Sequence, residues 1–241
     1  PYPFTTKLPQ PGMLPFEDVA FQIVDLPPIS ADYIESWIVN SLQPADGVLL
    51  VVDLADPACA EHIQAILAQL NERKIDLHGW WPGLKGPKPV PEPVFDEDGE
   101  EILGDPFRIS LPAILVGNKA DQVEDPVAEL QVLTELLELD LPVVAVSALT
   151  GAGCEAIGPL LFQGLQVVRV YTKQPGKPAD TDRPFTLRRG QTVMHVAEQV
   201  HKDIASALRY AKIWGTEVYA GQQVGPEHPL ADKDIIELHM K

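Results

Sequence analysis

Positive charge is scarce in this chain. Its 241 residues hold 18 Lys+Arg against 35 Asp+Glu, a formal net charge of −17. Neutralising phosphates is what drives general nucleic-acid affinity, so so acidic a chain is a poor non-specific binder of DNA or RNA. The deficit is uneven. Residues 1–183 hold 11 basic and 28 acidic side chains, whereas residues 184–241 hold seven of each and four of the six histidines. Any nucleic-acid contact is therefore expected from the C-terminal piece, and the acidity elsewhere serves solubility. Cysteine is also scarce. Cys59 and Cys154 form no metal or redox spacing, which fits a reduced, cytoplasmic protein. No apolar run approaches the roughly 20 residues that a membrane-spanning helix needs, and no basic-then-apolar leader opens the sequence. The hydrophobic content, 45%, is ordinary for a globular protein. The length suits one large domain and one small one.

Strand-like and helix-like segments alternate through the first two thirds. Apolar runs at Val19–Val24, Gly47–Asp53, Leu111–Gly117 and Leu141–Val146 read as strands. Helices are expected over about 30–42, 56–71, 125–139 and 153–165. Such alternation predicts a parallel α/β sheet, and runs such as Val48-Leu49-Leu50-Val51-Val52 suit strands covered on both faces. Asp56-Pro57 and Asp125-Pro126 each place a capping acceptor before a proline already fixed in φ. The stretch 79–110 breaks the pattern with six prolines and the acidic run Asp96–Glu101. It reads as a solvated surface insert carrying a small hairpin about Asp98-Gly99. It lacks the alternating oxygen frame of a calcium loop. Trp80-Trp81 is its one candidate contact. Beyond Leu165, strands are expected at 166–173 and 184–188. A helix capped by Thr192 should follow, with Val196, Val200, Ile204 and Leu208 on one face. His195, His201, Lys202, Arg209 and Lys212 form a candidate outward recognition face, or a merely solvated one.

Asn118-Lys119-Ala120-Asp121 directly follows an apolar strand, and Ser147-Ala148-Leu149 follows the next. Three specified positions alone recur by chance. Two such loops, in order at successive strand ends, are far more specific. The pair resembles the guanine-reading loops of the P-loop GTPases. Upstream, Tyr2-Pro3-Phe4-Thr5-Thr6 resembles the switch I segment of the Obg-like and developmentally regulated GTP-binding proteins, and Asp25-Leu26-Pro27-Pro28 resembles their switch II. The segment from Pro184 through Leu208-Arg209-Tyr210-Ala211-Lys212-Ile213-Trp214-Gly215 to Leu238 resembles their C-terminal TGS domain. The resemblance covers nearly the whole chain apart from the insert.

That resemblance implies an incomplete P-loop GTPase sheet over 1–165 and a ubiquitin-like β-grasp TGS domain over 166–241. It implies GTP or GDP as ligand, with Asn118, Lys119 and Asp121 reading the base and Ser147, Ala148 and Leu149 closing the pocket. Magnesium would be held by Thr6, with Thr5 in reserve, and by Asp25. It implies slow GTP hydrolysis in the intact protein and a TGS domain that engages RNA, the ribosome or a protein partner. Two features depart from the pattern. No Gly-x-x-x-x-Gly-Lys-[Ser/Thr] occurs, so the phosphate loop is expected upstream of Pro1, and these 241 residues alone are expected to be inactive. The switch II glycine falls at Pro28, which has no N–H for a γ-phosphate; Ile29 stands where Ras-like proteins place glutamine, a residue the Obg-like branch also lacks. A pseudo-GTPase scaffold, or a regulatory TGS module, are the alternatives. The strand before the phosphate loop would lie between Val19–Val24 and Gly47–Asp53, so either another chain or segment filling that gap, or a sheet distorted to close it, is expected there.

Overall fold

A computed structural model describes residues 8–29, 34, 36–86 and 105–240. The switch I threonines and the expected hairpin about Asp98-Gly99 lie outside the described residues. The chain divides into two units, residues 1–12 with 23–160 and residues 13–22 with 161–241.

The first unit is built on β3 (Val48–Asp53), β4 (Ile75–His78), β5 (Ile109–Asn118) and β6 (Val143–Ala145). All pair in parallel with β5, which is central. β3 runs along one side, from Val48 opposite Ala113 to Asp53 opposite Asn118. On the other side β4 covers the first half of β5 and β6 the second. A central strand has no face open to water, which explains why Ala113, Ile114 and Leu115 are 0% exposed. The helices are α1 (Ser36–Leu42), α2 (Cys59–Glu72), the short α3 (Pro82–Lys85) and α4 (Pro126–Leu136).

Two clusters make the core. Leu50, Val52 and Leu54 meet Cys59 and Ile63 of α2 and Leu130 and Leu133 of α4. Ile34, Ile38 and Leu42 meet Leu70, Ile75 and Leu111. Each such side chain stabilises the unit by roughly 1.5–3 kcal/mol relative to exposure.

Several expectations need correction. β4 was not legible as a strand. Its sequence, Ile-Asp-Leu-His, has too few apolar residues to separate it from a loop, and only pairing with Ile109–Pro112 makes it one. Asp125 caps α4 through Ala128 N–H at 3.0 Å. Asp56 instead closes a turn to Ala58 N–H, and α2 begins only at Cys59. Trp81 is a core residue rather than a contact. It is 0% exposed, and its Nε1 donates to the Ala113 carbonyl at 3.1 Å.

β1 (Gln10–Phe16) and β2 (Val19–Asp25) form a hairpin turning at Glu17-Asp18, and its tip belongs to the second unit. Among the described residues, β2 pairs only with β1 and β3 only with β5, so β2 stands outside the parallel sheet it was expected to join and no described strand fills the expected gap. Val51 on β3 is 56% exposed, so the cover expected on both faces of this strand is incomplete there.

α5 (Ile157–Gly164) leads into the second unit's sheet, ordered β10–β9–β11–β7–β8. These strands are β7 (Val167–Lys173), β8 (Ala179–Arg188), β9 (Leu208–Trp214), β10 (Gln222–Val224) and β11 (Asp234–Met240). Only β11 with β7 is parallel. α6 (Val193–Val200) lays Val193, Val196 and Ala197 on this sheet against Val170, Ala211, Ile213 and Ile236, a β-grasp arrangement. The long helix expected through Leu208 does not form. The chain breaks at His201 (φ −173°, ψ 144°), restarts as α7 (Lys202–Ala207), and Leu208 opens β9. The expected recognition face is dispersed in consequence. His195 is held by the capping box with Thr192, His201 caps α7 through Asp203 N–H, and Arg209 and Lys212 lie on a strand.

Candidate functional site

β5 and β6 end side by side, and their two C-terminal loops are tied at several points. Val146 N–H donates to the Gly117 carbonyl at 2.8 Å, and Ala120 N–H to the Val146 carbonyl at 3.0 Å. Between these rungs, the Asn118 side-chain oxygen accepts from Ala148 N–H at 3.0 Å. On the other side, Leu54 N–H donates to the Asn118 carbonyl at 3.0 Å. Backbone groups at strand ends need partners, and here each loop supplies the other's. Close approach requires small residues. A Cβ on Gly117 would lie 2.6 Å from Leu54 Cδ1, and one on Gly153 would lie 2.1 Å from the Ala145 carbonyl oxygen.

Lys119 adopts a left-handed backbone (φ 62°), which turns the chain into the single 3-10 turn Ala120–Gln122 that carries Asp121 on the surface. A non-glycine residue in that region is uncommon and needs support from its surroundings. Lys119 Nζ finds it in an ion pair with Asp53, the register partner of Asn118 at the end of β3. The other Asp53 oxygen accepts from Ala55 N–H at 3.0 Å, so the carboxylate is oriented at both ends. The hydrogen bond from Lys119 to Asp53, aided by its charge and those of Asp56 and Asp121, raises the ammonium pKa and keeps it charged.

Ser147 is buried at 1% exposure. Its Oγ accepts from Thr150 N–H at 3.2 Å, its N–H donates to the Ala152 carbonyl, and its carbonyl accepts from Gly151 N–H, both at 2.8 Å. The loop is thereby closed on itself, and Leu149 is left projecting at its tip, 84% exposed.

Asn118, Lys119, Asp121, Ser147, Ala148 and Leu149 are thus brought together at one end of the sheet. Asp25 ends β2, exposed, and is followed by buried Pro27 and exposed Pro28. Thr6 lies outside the described residues. Among those described, no group of three or more His, Cys, Asp or Glu is arranged to hold a metal ion. Asp53 went unnoticed in the sequence. Its only signal was a carboxylate ending an otherwise apolar strand.

Comparison with known proteins bears on what such loops do. Residues 168–240 match the TGS domain family. An uncharacterized GTP-binding protein of Methanocaldococcus jannaschii is 27% identical, over all of this chain and 71% of its own length. Human developmentally-regulated GTP-binding protein 2 is 23% identical, over all of this chain and 75% of its own. The chain is therefore similar along its whole length to developmentally regulated and other GTP-binding proteins, and its C-terminal part matches the TGS domain. A crystal structure of a GTP-binding protein from Pyrococcus horikoshii superposes with a TM-score of 0.60 at 15% identity, covering 98% of this chain and 89% of that one. At that identity the match speaks for the fold. In the second unit, the TGS match takes in β7 through β11 with the helices between them.

Proposed function

We propose that this protein binds guanine nucleotide at the joined C-terminal ends of β5 and β6. The observation that carries the reading is the hydrogen bond from Ala148 N–H to Asn118, which fuses the two expected base-reading loops into one rigid surface. With its oxygen engaged, Asn118 keeps its amide NH₂ to donate to an acceptor on the base. Asp121 accepts from the guanine N1–H and 2-amino groups, a pattern adenine does not offer. Lys119, held by Asp53, lays its stem along the base. Ala148 N–H is already spent on Asn118, so Leu149 N–H is the neighbouring donor for the guanine oxygen.

Magnesium is assigned to Asp25 and Thr6, the bound ion serving to draw charge from the phosphates. Magnesium of this kind takes one or two protein oxygens and completes its shell from phosphate and water. Asp25, at the end of its strand, fits that limited demand. Slow GTP hydrolysis, a cytoplasmic location and a TGS domain that engages RNA, the ribosome or a protein partner complete the proposal, with residues 1–165 as the nucleotide domain. A second reading, a scaffold that binds nucleotide without sensing its state, is favoured by Pro27-Pro28, since neither residue has an N–H to offer a γ-phosphate.

The test is binding of GTP, GDP and xanthosine diphosphate, read by calorimetry and by NMR at millimolar nucleotide. Wild type should prefer guanine, and Asp121→Asn should shift the preference to xanthine. An unchanged preference would remove Asp121 from the site. Equal affinity for GTP and GDP in wild type, with GTP preference gained in Pro28→Gly, would select the scaffold reading.

A further inference from the structure

The β1–β2 hairpin ends in a cluster that the nucleotide reading does not use. Arg169 of β7 is buried, with its side chain 5% exposed, yet it faces three carboxylates. Its Nε and Nη2 grip both oxygens of Asp232 at 3.0 and 2.6 Å. Its Nη1 donates to Asp18 at 2.8 Å and also to Glu17. Its backbone N–H adds a 2.8 Å bond to Asp232. Tyr171, two residues on and therefore on the same face of β7, donates its hydroxyl to the other oxygen of Asp18. The guanidinium lies over the Phe162 ring, 4.8 Å from its centroid, and that ring packs on Phe16 of β1 at 5.4 Å.

This is more than a surface ion pair. The bidentate fork fixes geometry as well as charge, and a buried cation surrounded by acceptors holds its partners only while it is present. Glu17 carries a second sign of constraint. Its φ is +50°, a conformation in which glycine or asparagine usually sits, and its carboxylate is one of those Arg169 holds.

The position of this turn in the chain gives it significance. β1 follows the segment containing Thr5 and Thr6, and β2 ends at Asp25, immediately before Leu26-Pro27-Pro28. The residues at the base of the hairpin belong to the first unit, while residues 13–22 belong to the second, with the TGS domain. The hairpin joins these two ends directly, its seven-residue strands reaching roughly 20 Å. Clasped at its tip, it can carry a shift at its base only by moving the clasp with it.

We propose that the Glu17-Asp18 turn is an intramolecular latch on the TGS domain. Arg169 and Tyr171 clasp it, and it couples the two segments expected to sense nucleotide to the Arg169–Asp232 side of the TGS sheet. The coupling rests on the proposed nucleotide site; the latch does not. Coupling of this kind is reciprocal, so disturbing either end must register at the other.

Hydrogen–deuterium exchange on the full chain tests both parts. Without nucleotide, Asp18→Asn combined with Tyr171→Phe should speed exchange at residues 10–25 and 231–234 at least tenfold, while α6 and β9 keep their protection. Glu17→Gly, which suits the turn's φ and removes only a carboxylate, should act in the same direction with a smaller change. It keeps the test decisive if the double variant does not fold. Wild-type protection of the hairpin in Glu17→Gly and in any folded double variant would overturn the latch. With GTP and Mg²⁺ against GDP, wild type should change at both the hairpin and residues 231–234, and the latch variants at the hairpin alone. A hairpin response that never reaches residues 231–234 in wild type would overturn the coupling. If calorimetry shows no nucleotide binding at all, the nucleotide reading and the coupling both fall, and the nucleotide-free comparison still decides the latch.

Discussion

The side-chain oxygen of Asn118 accepts a hydrogen bond from the backbone N–H of Ala148 at 3.0 Å, joining two loops thirty residues apart in sequence. The bond fixes the spacing between the residues expected to read a base and those expected to enclose it. Asn118→Ala would leave that N–H without its partner and free the turn at 147–152. The expected loss is about 1–2 kcal/mol, read as a lowered urea midpoint for the first unit. Weakened guanine-nucleotide binding should accompany it. An unchanged midpoint would mean that the backbone rungs at Val146 and Ala120 hold the loops unaided.

Asp53 should govern the ionisation of Lys119. Because the ion pair raises the ammonium pKa, Asp53→Asn should bring it back down. NMR titration of ¹³C-methylated lysines between pH 8 and 12 would show the Lys119 resonance moving to a lower midpoint, with the other lysines unchanged. An unmoved midpoint would show that Asp53 does not hold the amine in solution.

Gly153 stands at φ 75°, and a Cβ there would sit 2.1 Å from the Ala145 carbonyl oxygen. Backbone on backbone cannot yield cheaply, and the left-handed conformation adds strain for any L side chain. Gly153→Ala should cost about 2 kcal/mol or more, measured by chemical denaturation. Gly176→Ala is a useful control: its φ is 74° but nothing lies within 4 Å of the added carbon, so only the backbone term remains.

The latch gives the second unit an acid-sensitive component. Burial alone would raise the Asp18 carboxyl, but hydrogen bonds from Tyr171 and Arg169 outweigh it and hold the pKa below its usual 3.8. Burial and Arg169 act on Asp232 in the same way, with Lys233 assisting. A depressed carboxyl pKa contributes stability above the unfolded value of about 3.9. That contribution is lost as pH falls through the folded value. Asp234 works in the opposite sense. Burial raises its pKa, so protonation relieves a cost as pH falls. Urea midpoints of the second unit should therefore fall on acidification below about pH 4, and fall less in Arg169→Gln, which lacks the guanidinium that lowers both carboxyls. Parallel curves for the two proteins would remove the latch from the acid response.

Much of the fold around the candidate site was legible because its signals are local. Val48–Asp53 and Leu111–Gly117 announce buried strands by unbroken apolarity, and Asn118, Lys119 and Asp121 stand where a strand must end. Thr192 was readable as a helix cap, as was Asp125. β4 was not, since Ile75–His78 becomes a strand only by lying beside β5. The apolar spacing of Val196, Val200, Ile204 and Leu208 suggested one continuous helix, but the β-grasp sheet takes Leu208 as the first residue of β9 instead.

By itself, then, the sequence determined that buried strands alternate with helices in an α/β arrangement, and which short motifs stand at the ends of the most apolar strands. Tertiary structure decided the pairings: Lys119 with Asp53, Trp81 with Ala113, and Arg169 with Glu17, Asp18 and Asp232. The partners in each case are between 32 and 152 residues apart. Hydrophobic period and capping chemistry act over one or two turns of chain. Which carboxylate meets which cation depends on how strands register and close, and no local pattern records it.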